Sequence, residues 1–347
     1  MFFTSEPKIN LLTKLLETIL PTLCFGSCYW NLLLKNAIVR NSFKMKKIMC
    51  RINCDWIDLA DKPELIILKK YANVSRQSTI IIAISFYTYI ILLIFPSLLR
   101  IFQYILGVIN ETELILPVRD EYFMKNQLFY FTTLLYEYIA LCIVCMMGVA
   151  NYSMFIAIIQ HACALFNIIE WKVNEYFKKQ PCNNYRPFTL KDENEWIVDT
   201  IELYNNALNF VDLIKLLYET IYIFEGFFAS ILIIVDYIYL FQILCFTLNA
   251  NEGITKFCYV IGSLLVIYAY FYLGQKLIDE HTDLFIQLCQ IPFYLLSLKT
   301  QKILLLLIMK TMRPCYLSIR GIVVVSHYTF AKLMKSSFSF AMVCFKL

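Results

Sequence analysis

The sequence predicts an all-α fold, a polytopic transmembrane helical bundle, on three observations. Hydrophobic residues make up 60% of the 347 residues and charged residues only 16%, where a soluble domain holds about half and about a quarter. The apolar residues fall into runs as long as a helix needs to cross about 30 Å of hydrocarbon, roughly 20 residues. The basic residues gather in alternate loops, the pattern that topology imposes on a multi-pass chain. With only 8 Gly and no Pro/Gly/Ser-rich linker, residues 1–347 read as a single membrane domain.

Six runs qualify as spans, at about 11–34, 79–103, 128–150, 216–247, 255–275 and 318–345. The first is interrupted by Lys14, Glu17 and Pro21, whereas the second carries no charge from Thr79 to Leu99. The third continues as a helix towards Glu175. Two stretches, about 151–215 and 276–312, read as cytoplasmic elements. Within them 176–215 suits a solvated helix pair, and Ile303–Met309 marks a short apolar helix that cannot span.

Loop charge orients the chain. Lys44, Lys46, Lys47, Arg51, Lys62, Lys69, Lys70 and Arg76 crowd the loop after the first span. The next loop sets Arg119 and Lys125 against Glu111, Glu113, Asp120 and Glu121. The first loop is therefore assigned inside and the second outside, which puts the C-terminus outside. The sequon Asn110-Glu111-Thr112 falls in that outer loop, making Asn110 the glycosylation candidate.

The residues argue against an enzyme. The three histidines, His161, His281 and His327, form no HExxH, and no GxSxG or phosphate-cradling glycine loop is present. No catalytic residue and no cofactor is assigned. Cys142 and Cys145 form a CxxC inside a span with no second pair, and the adjacent residues Glu280, His281 and Asp283 point to different helix faces. No metal site is assigned either. Cys142, Cys145, Cys163, Cys245 and Cys258 read as small buried hydrophobes, and His161 as a hydrogen-bonded core residue. A net charge of +5 is too modest to imply nucleic acid.

The last span is the most informative. Lys332 and Lys335 lie well inside it, and at helical spacing Tyr328, Lys332, Lys335, Ser339, Met342 and Lys346 share one face. Ionisable groups at membrane depth face protein or water. A polar stripe on an apolar helix suits the wall of a water-filled pathway; snorkelling lysines are the plainer reading. Aromatics near the outer halves of spans, Tyr130, Tyr138, Phe257 and Tyr259, are candidates for an apolar ligand pocket, with ordinary packing as their alternative role.

A family pattern emerges towards the C-terminus. Gly274-Gln275-Lys276-Leu277-Ile278 is followed by Pro292-Phe293-Tyr294, then by Lys299 to Met309 and Arg313-Pro314-Cys315. The chain ends with Tyr328-Thr329-Phe330-Ala331 and Ser336 to Val343. This ordered set resembles the insect odorant receptor family, in its hymenopteran-type tuning subunits. Weaker matches lie at Asp55-Trp56, Ile67 to Ala72, His161 to Phe166 and Asn206-Ala207-Leu208.

The resemblance implies a seven-span fold with its C-terminus outside. Only six spans are visible, and 11–34 resembles the family's second, so the first transmembrane helix is expected to be lacking. It also implies a cation channel, a heterotetramer with a common co-receptor subunit, that opens on a small volatile ligand. The protein would sit among membrane lipid in the plasma membrane of a sensory neuron dendrite. By register Val343 and Leu347 take the hydrophobic gate, which closes by dewetting, on the helix carrying Lys332, Lys335 and Ser339. The ligand would sit among parts of 11–22, 90–103, 129–140 and 256–267. A G-protein-coupled or gustatory-type chemoreceptor and a membrane transporter remain as alternatives. Asp-Arg-Tyr, Asn-Pro-x-x-Tyr and the gustatory Thr-Tyr…Gln-Phe signature are absent, as is an evident repeat.

Overall fold

The computed structural model describes residues 35–107, 127–178, 190–245, 250–319 and 323–346. Helix α1 spans Lys35–Asp58, α2 Leu65–Ile105, α3 Gln127–Lys178, α4 Leu190–Cys245 and α5 Ala250–Cys289. A 3-10 turn at Phe293–Leu295 leads into α6, Leu298–Thr311. Two short strands, β1 (Ser318–Ile319) and β2 (Val323–Val324), precede α7, His327–Lys346. The span expected over 11–34 lies outside the described residues.

The helices are longer than the bilayer needs. α3 has 52 residues and α4 has 56, about 80 Å each at 1.5 Å per residue. No proline falls within either, so nothing breaks their hydrogen-bond ladders. The solvated helix pair expected over 176–215 is therefore not a separate unit. Its second member is the lower half of α4, which runs on unbroken into the next span. α2 packs along α3, and α4 lies against α3, α5 and α7.

The start of the last span also differs from expectation. Residues 318–319 and 323–324 are not helical: β1 and β2 pair antiparallel, Ser318 with Val324 and Ile319 with Val323. The run Ile322 to Val325 is apolar enough for a span, but it is entirely β-branched and suits an extended backbone. α7 begins only at His327, where Ser326 Oγ receives the Thr329 amide at 3.4 Å in the manner of a helix cap.

Burial divides the molecule in two. The main core joins Ile48, Leu68, Tyr71, Phe155 to Val173, Trp196 to Tyr218, Leu273 to Ile291, Leu304, Leu307, Leu317 and Val325. It occupies the end assigned to the cytoplasm. In the other half buried clusters are small, around Val235, Tyr239 and Val260 and around Leu134. There large apolar side chains face outward, Ile81, Ile84, Ile91, Phe95, Leu135 and Ile139 among them. Water forces apolar groups inward; hydrocarbon does not. Among the described residues Phe131–Lys178 and Val260–Cys289 are long and apolar enough to cross a membrane, with a shorter apolar stretch at Ala229–Phe241. Cys145 and Cys163 are buried as expected, but Cys142 is exposed on the outward face.

Candidate functional site: the last helix and the bundle that holds it

α7 has two unlike faces. Ser337 and Ala341 are buried, and Phe338 meets the rings of Tyr237 and Phe241 on α4 at 5.2 and 5.9 Å. Around the helix from these contacts Tyr328, Lys332, Lys335, Ser339 and Val343 are all exposed, Val343 at 58%. Of the face singled out in the sequence, Tyr328, Lys332, Lys335 and Ser339 are uncovered in the single chain and Met342 is half-buried, while the side chain of Lys346 lies outside the described residues. Leu347 lies outside the described residues.

The foot of α7 is tied down tightly. The Val325 amide donates to Leu317 O at 2.9 Å, and the Thr329 hydroxyl to Val324 O at 2.6 Å. Gly274 on α5 touches this hairpin: a Cβ placed there would stand 2.4 Å from Val325 O. His327 stacks on Tyr268 at 5.6 Å, and its amide donates to Gln275 Oε1. These residues join α5 to α7 at the level where the bundle leaves the membrane half.

Below lies a polar framework within the main core. His161 Nε2 pairs with Asp55 Oδ2 at 2.9 Å, and Arg51 approaches Asp55 at 3.1 Å. Tyr71 donates to Glu280 at 2.7 Å, while Lys276 donates to Gln160 at 3.0 Å and lies over the Tyr71 ring. Burial raises the Glu280 carboxyl above its usual range, against the Tyr71 hydrogen bond and the Lys276 charge. His281 is 1% exposed. Its Nδ1 accepts from the Cys315 amide, which leaves Nε2 as the protonated nitrogen facing Tyr204 Oη at 3.1 Å. Burial, assisted by the Lys215 charge, lowers His281 to about 4. Glu280 and His281 thus serve different neighbours, as their helix positions require. Among the described residues no His/Cys/Asp/Glu group could hold a metal ion.

α6 docks on this framework through Glu193 of α4, whose Oε2 accepts from the Ser297 amide and the Thr300 hydroxyl at 3.0 Å each. Ser297 caps the helix. Thr300, Leu304, Leu307 and Thr311 point inward, whereas Leu305, Leu306 and Met309 remain exposed.

The ligand candidates are only partly assembled. Tyr138 Oη lies 2.7 Å from Ser97 Oγ, next to a small cluster of Leu134, Ile101 and Tyr104 between α2 and α3. Phe257 on α5 is exposed. Tyr130 and Tyr259 belong to α3 and α5, but their side chains are outside the described residues, as is Asn110. Ser97 was not singled out in the sequence. A serine within an apolar run gives no sign that a tyrosine 41 residues away will meet it.

Residues 15–338 match the family model described as 7tm Odorant receptor. The chain belongs to the odorant receptor family. Solved structures agree in fold. The insect olfactory receptor OR5 from Machilis hrabei superposes with a TM-score of 0.56 at 12% identity, over 96% of this chain and 87% of that one. The same receptor in complex with eugenol gives 0.56 at 14% identity, over 96% and 88%. No curated protein matches at a significant level.

This odorant receptor is accordingly a multi-pass membrane protein of a receptor family rather than an enzyme family. Two of its family-like segments meet in space, Asp55 of Asp55-Trp56 binding His161 of the 161–166 segment, while Tyr71 of the 67–72 segment and Lys276 of the 274–278 segment bind Glu280 and Gln160 just beside such segments.

Proposed function

We propose that this odorant receptor is a subunit of an odorant-gated cation channel, with α7 as the pore-lining helix. The carrying observation is the uncovered stripe of Tyr328, Lys332, Lys335, Ser339 and Val343 on a helix whose opposite face is packed. Two lysines at membrane depth need water or protein beside them, and a single chain offers neither on that side. Equivalent helices around an axis would enclose water there. Val343, with Leu347 beyond it, forms the apolar constriction near the outer end, and the lysines sit off the pore axis where they repel cations less.

The complete channel is a heterotetramer with a common co-receptor, in the plasma membrane of a sensory neuron dendrite. The exposed Leu305, Leu306 and Met309 of α6 supply apolar surface for the subunit contact. The ligand is a small volatile molecule, the class suggested by the eugenol complex of the Machilis hrabei receptor. It is held among apolar walls with the Tyr138–Ser97 pair as a polar contact, and with Phe257, Tyr130 and Tyr259 on neighbouring helices. It opens the pore by binding the open form more tightly than the closed one. Asn110 carries a glycan on the outer side.

Co-expression with a co-receptor and current recording under a panel of volatiles tests the reading. Val343→Ala widens the constriction and is expected to raise unliganded leak or shift gating. Unchanged leak and gating at matched surface expression would remove Val343 from the gate. A C-terminal tag reached only from the cytosol would overturn the channel topology altogether.

A further inference from the structure

Asp236 lies in the membrane half of α4, is 0% exposed, and belongs to neither the ligand candidates nor the α7 stripe. One of its oxygens, Oδ2, is 2.6 Å from Ser263 Oγ on α5. The other, Oδ1, is buried with no hydrogen-bond partner. Ser263 Oγ is in turn 3.0 Å from Val260 O. Around them pack Val235, Tyr239, Val260 and Leu264.

The proton count decides the state of this group. Three oxygens lie in a row, carboxyl, hydroxyl and carbonyl, with two hydrogen-bonding separations between them. Each needs its own hydrogen, and a serine hydroxyl brings one. If Asp236 were ionised, Ser263 could serve only one neighbour, and a full charge with a bare oxygen would be sealed in an apolar seam. If Asp236 carries a proton, Oδ2–H donates to Ser263 Oγ and Ser263 donates to Val260 O. Both separations are then filled, and Oδ1 is an uncharged carbonyl oxygen.

We infer that Asp236 and Ser263 form a proton-binding site within the membrane, occupied at neutral pH, that holds α4 against α5. The ligand is the proton itself. Among the described residues four oxygens meet here, Asp236 Oδ1 and Oδ2, Ser263 Oγ and Val260 O, fewer than the six or so that a hard metal cation takes. Among the described residues the one side-chain hydrogen-bond partner of Asp236 is Ser263, and no charged side chain is bonded to it. The titratable group beside it is Tyr237 on its own helix. Loss of the proton to water places a carboxylate in the seam, which must part or hydrate to accommodate it. Tyr237 and Phe241 hold Phe338 of α7, so parting also loosens the support of the last helix. The site itself stands without the channel reading.

Infrared spectroscopy of the full-length receptor in lipid nanodiscs tests the site without any current. At neutral pH the wild type is expected to show a carboxylic-acid C=O stretch that shifts on hydrogen–deuterium exchange and is missing from Asp236→Asn. Asparagine keeps both size and a donor towards Ser263. Ser263→Ala removes the bridging oxygen and should move the same band to higher frequency. Thermal melting gives a second readout: the wild type should lose stability from neutral to mildly alkaline pH, and Asp236→Asn should not. A wild-type spectrum identical to that of Asp236→Asn, or equal alkaline slopes for the two proteins, would overturn the inference.

Discussion

Gly274→Ala is a small change at the junction between the cytoplasmic core and the last helix, and its effect can be worked from the geometry. The added Cβ would stand 2.4 Å from Val325 O, 2.6 Å from Val325 Cγ1 and 2.9 Å from Val325 Cβ. Ordinary carbon–oxygen contacts begin near 3.3 Å, so α5 and the hairpin must separate by about 1 Å. A rotamer change cannot relieve the clash, because the nearest atom is backbone. That backbone is fixed by the Val325–Leu317 hydrogen bond, and Val325 is 2% exposed. Overpacking of this kind costs about 1–3 kcal/mol. Because the hairpin leads directly into α7, the strain falls on the helix proposed to line the pore. The expected result is a lower melting temperature together with smaller ligand-evoked currents at equal surface expression. Val325→Ala in the same chain removes Cγ1 but not the carbonyl, so it should restore only part of the loss. Wild-type melting and wild-type currents from Gly274→Ala would refute the claim that close approach fixes the foot of α7.

Three further outcomes follow. His281 is held neutral at about 4 against an ordinary 6.5, so its contribution is complete above 6.5 and is lost as pH falls towards 4. The contribution is at most about 3 kcal/mol, and a flatter acid limb in the melting profile of His281→Gln would reveal it. Glu193→Ala strands the Ser297 amide and the Thr300 hydroxyl and should destabilise the docking of α6 by about 3 kcal/mol. Limited proteolysis around α6 would detect it, and an unchanged cleavage rate would count against the contact. The double change Lys332→Gln, Lys335→Gln lowers the positive charge beside the proposed pathway and should raise single-channel cation conductance. An unaltered conductance would place both side chains away from permeating ions.

The membrane character of the fold was legible because it depends on composition and run length, which tertiary contacts do not alter. The uncovered face of α7 was legible for a similar reason: helical spacing alone places Lys332, Lys335, Ser339 and Tyr328 together. The strand pair of β1 and β2 was missed because hydropathy does not distinguish a β-branched strand from a span; Val323, Val324 and Val325 satisfy both. The continuity of α4 was missed because the charges at Lys191, Asp192, Glu193 and Glu195 suggested a separate soluble element. They lie in the first turns of α4, at the end of the helix far from the membrane half. The partners of Ser97, Asp236 and His281 depend on which helices adjoin, and one sequence carries no signal for that. The placement of His161 as a hydrogen-bonded core residue was correct, although nothing in the sequence pointed to Asp55.

The uneven distribution of burial has a consequence for how such a chain can change. A side chain that looks into lipid tails can become another of similar oiliness without leaving a void, since disordered tails flow to fill the difference. Ile81, Ile84, Ile91 and Phe95 enjoy that latitude. Phe155, Phe166, Tyr204 and Phe210 do not, because each is fitted among neighbours that cannot flow. Drift is therefore tolerated on the outward face of the membrane half, while the core of the other half is held close to its present composition.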